Sequence, residues 1–119
     1  MSELRLTYVA PDIAVAPQVL PEHMAALAAG GFRSVINNRM ENEPGQPAQE
    51  SLREAASRAG LDYEWQPVNS SMISVQDVQA FAALLERLPR PVLAFCRSGH
   101  RSNVLFQAAM QMQRGKAAE

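Results

Sequence analysis

A single cysteine, Cys96, stands five positions before an arginine, Arg101, near the C-terminal end of the chain. In a loop that wraps around the start of a helix, backbone N–H groups point inward and the helix dipole favours negative charge. We expect a cysteine in such a loop to be largely ionised at neutral pH, and the thiolate is the nucleophilic form. Arg101 can grip two oxygens of an oxyanion, and Gly99 allows the tight turn. The pattern predicts a thiolate nucleophile inside an anion-binding loop.

The sequence on either side of Cys96 predicts the elements that position it. Residues 92–95 form an apolar run without alternation, which is typical of a central strand covered on both faces. From Ser102 to about Arg114 apolar residues recur at helical spacing. We therefore predict that Cys96 ends a strand and that Arg101 lies at the mouth of a helix.

Arg39 is the candidate for a second positive charge at the site. It follows a predicted strand, residues 32–37. If this strand runs parallel to residues 92–95, both strands end at the sheet edge where open α/β sheets bind ligands. Arg39 then contacts either the substrate or a nearby acid, Glu41 or Glu43, and the sequence leaves both alternatives open.

The predicted site contains two catalytic residues, Cys96 and Arg101, and a substrate-binding set that surrounds them. That set comprises Arg97, Ser98, Gly99, His100, Ser102 and Arg39. The histidines, the cysteine and the scattered acids have no metal-ligand spacing, so we expect neither a metal nor a cofactor.

Strand and helix patterns alternate along the rest of the chain. Two short strands joined by a turn are predicted within residues 4–15, helices over 20–30, 52–59 and 74–88, a further strand over 61–66, and loops over 40–47 and 67–71. This order favours a three-layer α/β sandwich, with a mostly parallel sheet flanked by helices. The length of 119 residues predicts a single catalytic domain over residues 1–119.

Composition narrows the classes of partner. The formal net charge of −1 gives no field that would attract nucleic acid or an acidic membrane surface. Because the sequence shows no leader pattern and no apolar run of membrane length, we predict the cytoplasm as its location. Cys96 is the only cysteine, which argues against a dithiol reductase because there is no resolving thiol.

The Cys-to-Arg loop resembles the loops of two families, the tyrosine or dual-specificity phosphatases and the rhodanese sulfurtransferases. Phosphatase loops carry five residues between the cysteine and the arginine, whereas four stand here, as is usual in bacterial rhodaneses. Phe95 also occupies the position where the phosphatase signature has histidine.

Over residues 7–110 the chain resembles the phosphatase-like domain of beta-lactamase hydrolase-like proteins, found alone or fused to a sulfur dioxygenase. The similarity lies in residues 34–39, 43–47 and 91–102. It implies the dual-specificity-phosphatase-like fold, with Cys96 as nucleophile, Arg101 as anion clamp and Ser102 as a hydroxyl donor to the sulfur. His100 replaces an expected threonine, a departure that could alter the choice of acceptor.

Two reactions fit this site, and the sequence favours sulfur transfer. In that reaction Cys96 takes a sulfane sulfur from thiosulfate or a persulfide and passes it to an acceptor thiol, and the leaving group needs no proton. The alternative, phosphatase-like hydrolysis through a phosphocysteine, normally uses a carboxylic acid to protonate the leaving group. Residues 67–71, where that acid is expected, contain none, which leaves Glu41 and Glu43 as substitutes.

A third alternative is a non-enzymatic module that binds an anion or senses oxidation through Cys96. The expected partners are a small anionic sulfur or phosphate substrate, together with a thiol acceptor or a sulfur dioxygenase. We expect no nucleic acid and no membrane among them.

Overall fold

Strands and helices alternate along the chain in a computed structural model that describes residues 4–118. The elements are β1 (Thr7–Ala10), β2 (Ile13–Ala16), α1 (Met24–Ala29), β3 (Ser34–Asn37), α2 (Gln49–Ala59), β4 (Asp62–Trp65), α3 (Val75–Arg87), β5 (Val92–Phe95) and α4 (His100–Ala118). A short 3-10 turn, Pro21–His23, leads into α1.

The strands form one five-stranded sheet in the order β1-β2-β5-β3-β4. β5 lies in the middle and pairs in parallel with both β2 and β3, and β4 pairs in parallel with β3. Only β1 runs antiparallel, as the outer strand of the predicted N-terminal hairpin. Since all four residues of β5 are buried, the apolar run of residues 92–95 is the predicted central strand.

Helices cover both faces of the sheet, which confirms the predicted three-layer α/β sandwich. Alternate residues of each strand point to opposite faces, so the sheet contributes to two cores. One core joins the sheet to α1 and α2 through Ala14, Val35, Leu93, Phe95, Met24, Leu27, Leu52 and Ala56. The other joins it to α3 and α4 through Ile13, Val15, Ile36, Val92, Phe81, Leu85, Leu105 and Phe106.

Local signals set several helix boundaries. Ser74 and Asp77 form a reciprocal capping box at the start of α3, and Gly60, at φ 80°, ends α2. The helix predicted over residues 20–30 divides into the 3-10 turn and the six-residue α1. The division occurs where the His23 side chain accepts a hydrogen bond from the backbone N–H of Leu20.

The last helix begins two residues earlier than the sequence indicates, at His100 instead of Ser102. Arg101 therefore lies inside its first turn. Among the described residues, no helix is both long and apolar enough to span a bilayer.

Candidate active site

The site is built at the C-terminal ends of the parallel strands. Asn37 of β3 is in register with Phe95 of β5, so the segments that follow these two strands leave the sheet side by side. Asn38 continues the pairing by donating its backbone N–H to the carbonyl of Phe95 at 2.9 Å. The predicted convergence of residues 37–39 with the cysteine loop is therefore present in the fold.

The cysteine loop, residues 96–101, wraps around the sulfur. Cys96 is 1% exposed, and its Sγ accepts a hydrogen bond from the backbone N–H of Gly99 at 3.1 Å. Gly99 has a φ of +93°, in the region that favours glycine, and a Cβ there would lie 3.3 Å from the carbonyl carbon of Ala16. A main-chain donor thus faces the sulfur, and an amide in that position favours negative charge on it.

The loop is fixed to the neighbouring strand through the main chain. The N–H of Cys96 donates to the carbonyl of Ala16, and the N–H of Gln18 donates to the carbonyl of Arg97, both at 3.3 Å. These bonds seat the loop without using any side chain between Cys96 and Arg101.

Arg101 is buried, with 8% of the residue exposed, and is held by two segments, residues 38–47 and the segment that follows β4. Its Nη1 donates to the carbonyls of Asn38 and Val68, and Nη1 and Nη2 both donate to the Glu43 carboxylate, at 2.7 and 3.1 Å. Its Nε is buried and has no hydrogen-bond partner in the described part of the chain. Nε is therefore a guanidinium donor that no described group of the chain uses.

Glu43 is the carboxylate that links the two buried arginines. Besides Arg101, it accepts a hydrogen bond from Arg39 Nε at 3.0 Å and from the backbone N–H of Met40 at 2.7 Å. The Arg101 hydrogen bond, followed by those from Met40 and Arg39, outweighs burial and lowers the pKa of Glu43 from 4.5 to about 2. Glu43 is consequently ionised at neutral pH, so it cannot serve as the general acid.

Arg39 turns away from solvent. It is 2% exposed, and its remaining two nitrogens donate to Gln18 Oε1 at 2.7 Å and to the carbonyl of Pro44 at 2.9 Å. The sequence left open whether Arg39 contacts the substrate or a nearby acid, and the structure shows that it pairs with Glu43. Arg39 acts on the site by holding the carboxylate that holds Arg101.

Ser102 is buried and does not donate to the cysteine sulfur. Its hydroxyl donates to Asn38 Oδ1 at 2.8 Å, and one hydroxyl hydrogen cannot serve both acceptors. The expected bond from Ser102 to the sulfur is replaced by a tie between α4 and the segment after β3. Ser102 therefore positions the loop.

The remaining predicted site residues lie within the cysteine loop and have exposed side chains. Arg97, Ser98 and His100 are exposed, and the Ser98 hydroxyl accepts the N–H of His100 at 3.3 Å. Their backbone shapes the loop, while their side chains are free to meet a ligand from solvent. Within residues 4–118, no group of three or more His, Cys, Asp or Glu residues could hold a metal ion.

Several supporting residues were not predicted from the sequence. Asn37 is fully buried and joins the Tyr63 hydroxyl to the backbone N–H of Arg39, and Trp65 Nε1 donates to the carbonyl of Arg39 at 2.7 Å. The sequence pattern predicts only a strand over residues 61–66 here, and the polar ends of Tyr63 and Trp65 are the signal that could have pointed to this supporting role. Gln46 similarly bonds the carbonyls of Met40, Glu41 and Glu43 and closes residues 40–47 on themselves.

Known proteins share this fold and this sequence pattern. The family model described as "Beta-lactamase hydrolase-like protein, phosphatase-like domain" matches residues 4–113. The beta-lactamase hydrolase-like protein of Agrobacterium fabrum is 36% identical over 95 residues, which are 79% of this chain and 22% of that protein. The chain thus spans less than a quarter of the length of that curated relative.

Solved structures agree with the family match. A candidate phosphatase from Neisseria meningitidis is 29% identical with a TM-score of 0.77, over 83% of this chain and 71% of that one. The catalytic core of a PP-IP phosphatase from S. cerevisiae, at 19% identity, shares the fold with a TM-score of 0.71, over 92% and 66% of the two chains. The family match and the Neisseria structure support the phosphatase-like alternative, the S. cerevisiae structure supports the fold alone, and none of these names refers to sulfur transfer.

Proposed function

The chain belongs to the phosphatase-like domain family of beta-lactamase hydrolase-like proteins, and from that membership we propose that it is a cysteine-dependent hydrolase of phosphate esters. The observation that carries the proposal is the buried Cys96 sulfur, which accepts the Gly99 N–H at 3.1 Å in a strand-loop-helix site of phosphatase-like fold. The cytoplasmic location stays a prediction from the sequence.

The reaction proceeds in two displacements at phosphorus. In the first, the Cys96 thiolate forms an S–P bond while the ester P–O bond breaks, and the electron pair leaves on the alcohol oxygen. In the second, water attacks phosphorus, the S–P bond breaks, and phosphate is released with the thiolate restored. Loop N–H groups and the available Nε of Arg101 donate to the phosphoryl oxygens.

The leaving group limits which esters can react. Glu43 is ionised, and Glu41, the other candidate acid, is exposed and contributes only its carbonyl oxygen to a described hydrogen bond, from Gln46. Without a proton donor, leaving groups that are stable as anions are favoured. We therefore propose aryl phosphates, and not alkyl phosphates, as the substrate class.

The decisive test replaces the sulfur. In Cys96→Ser, phosphate release from an aryl phosphate should fall by more than about 10³-fold, because removal of a nucleophile abolishes the covalent step. Arg58→Gln, on the exposed face of α2, serves as the control that should retain activity. Equal rates in wild type and Cys96→Ser would overturn the assignment of Cys96 as the nucleophile. Hydrolysis of alkyl esters as fast as aryl esters would contradict the inference that the site lacks a general acid.

Sulfur transfer is the second candidate, and the ionised Glu43 favours it because sulfite and thiolates leave without a proton. Here the Cys96 thiolate attacks the outer sulfur of thiosulfate, the S–S bond breaks, and sulfite departs with the electron pair. An acceptor thiolate then removes the sulfur from the Cys96 persulfide. A thiol acceptor or a sulfur dioxygenase remains the proposed partner of this reaction.

Intact-mass spectrometry separates the two candidates. After exposure to thiosulfate, a gain of one sulfur atom in wild type but not in Cys96→Ser, reversed by cyanide, would identify sulfur transfer. An unchanged mass, together with Cys96-dependent release of phosphate from an aryl ester, would identify the hydrolase. Binding of an anion with neither reaction would instead identify the non-enzymatic module.

A further inference from the structure

A cavity of about 350 Å³ lies between the cysteine loop and the N-terminal hairpin. Arg5 and Thr7 line it on the hairpin side, and Ser98, Gly99, His100 and Asn103 line it on the loop and α4 side. The rest of its wall is formed by the end of β2 and the turn that follows. Its size equals roughly twelve water molecules at about 30 Å³ each, which is enough for a small organic fragment.

The chemistry of the wall suits a carboxylate. Arg5 presents a cationic guanidinium and His100 a ring N–H, and the hydroxyls of Thr7 and Ser98 and the amide of Asn103 add hydrogen-bonding groups. Within the described residues 4–118, no acidic side chain lines the cavity, so none of the lining groups in this part of the chain repels a negative charge. A planar guanidinium is the donor that best matches the two oxygens of a carboxylate.

The cavity shares residues with the reacting site. Three of the four residues between Cys96 and Arg101 form part of its wall, and the N–H of one of them, Gly99, donates to the Cys96 sulfur. A molecule in this cavity therefore touches the same loop that holds the nucleophile.

We propose that this cavity is a subsite that binds a carboxylate of the molecule that reacts at Cys96, through Arg5 and His100. The inference rests on the proposed function, because it assigns a second contact to the same substrate. It makes carboxylate-bearing aryl esters the preferred substrates among aryl esters.

The kinetic test compares 4-carboxyphenyl phosphate with its methyl ester, which has the same aryl phosphate but no negative charge at the far end. In Arg5→Gln the KM for the carboxylate should rise about three- to fivefold, the size of a partly exposed ion pair, while the KM for the ester stays unchanged. Arg58→Gln, an equal charge change on remote α2, should alter neither KM. An equal change for both compounds, or no change for either, would overturn the subsite.

A binding measurement tests the carboxylate subsite independently of whether the chain hydrolyses these compounds. Calorimetric titration of Cys96→Ser with the same two compounds should show tighter binding of the carboxylate, and Arg5→Gln in the Cys96→Ser background should remove the difference. If wild type hydrolyses neither compound but this preference is present, the hydrolase proposal fails and the carboxylate subsite stands. Equal affinities for the two compounds in Cys96→Ser would refute the subsite whatever the turnover.

Discussion

The cysteine loop and the loop that binds Arg101, residues 38–47, are built in opposite ways. Hydrogen bonds of the main chain hold the cysteine loop in place, and three of its side chains are exposed to solvent. Side-chain hydrogen bonds hold residues 38–47 in place. Arg39 donates to Glu43 and to a backbone carbonyl, and Gln46 donates to backbone carbonyls. The main chain of one loop surrounds the sulfur, whereas side chains of the other fix the guanidinium. The nucleophile and its clamp therefore depend on different parts of the sequence.

Among changes to the contacts that hold the two loops, the largest effect should come from the guanidinium that joins them. Arg101→Lys keeps the charge but removes the fork that donates to Glu43 while leaving Nε available. We expect kcat/KM for an aryl phosphate to fall about 10²- to 10³-fold, as when one oxyanion donor is lost. The same kinetics on Arg58→Lys provide the control, and activity within a factor of about two of wild type in Arg101→Lys would contradict the clamp.

Glu43→Gln should destabilise residues 38–47, because it removes the charge that pairs with Arg39 and Arg101. The Arg101 hydrogen bond lowers the pKa of Glu43 to about 2, so its stabilising charge is present above about pH 4.5 and is lost as the pH falls towards 2. Discounted for the partial exposure of the carboxylate, a shift of this size corresponds to roughly 2–3 kcal/mol in the free energy of unfolding at pH 7. Urea unfolding should show that difference at pH 7 and a diminishing one below pH 4.

The matched control for this change is Glu41→Gln, which removes an exposed carboxylate from the same loop. It should leave the free energy of unfolding within about 0.5 kcal/mol of wild type. A loss in Glu43→Gln that is equally large at pH 7 and pH 3 would show that the charge of Glu43 is not its cause.

Each loop contains a glycine with positive φ, Gly99 in the cysteine loop and Gly45 in residues 38–47, so the same substitution can be compared in both. An added Cβ at Gly99 would lie 3.3 Å from the backbone of Ala16, whereas one at Gly45 would meet nothing within 4 Å. Gly99→Ala should cost about 2–3 kcal/mol and displace the N–H from the sulfur, while Gly45→Ala should cost about 1 kcal/mol from backbone strain. Thermal unfolding and kcat/KM measure the two effects, and equal losses would mean that the close approach to Ala16 carries no weight.

Ser102→Ala should have the smallest effect. It leaves Asn38 Oδ1 buried without its donor, at a cost of about 1–2 kcal/mol in the free energy of unfolding. Because the hydroxyl does not donate to the sulfur, kcat/KM should fall less than about fivefold. A loss as large as that of Arg101→Lys would restore the direct role that the family resemblance implies for Ser102.

The sequence predicts the sheet and the places of Cys96 and Arg101 in the fold well because their signals are local. An apolar run, one cysteine and an arginine five residues later suffice to place Cys96 between β5 and α4. The start of α4 was predicted two residues late, because the helical period of apolar side chains becomes visible only after Arg101.

The support of the site could not be predicted in the same way. Glu43 lies in a segment rich in proline and glycine, a composition typical of solvated loops, and its partner Arg101 is 58 residues away. Whether Arg39 faces substrate or acid depends on how residues 38–47 close, and that depends on side-chain bonds such as those of Gln46. Long-range pairing of this kind leaves no periodic pattern in one sequence.

Because both arginines share the carboxylate of Glu43, the cost of losing these residues depends on the order in which they are replaced. Loss of Glu43 leaves two buried guanidinium groups without a counter-charge, whereas loss of Arg101 leaves Glu43 still paired with Arg39. The arginine can therefore be replaced first at a smaller cost to folding, and the glutamate only afterwards. Descendants of this chain that abandon the reaction are expected to lose Arg101 early and to keep the pair of Arg39 and Glu43 as a remnant of the site.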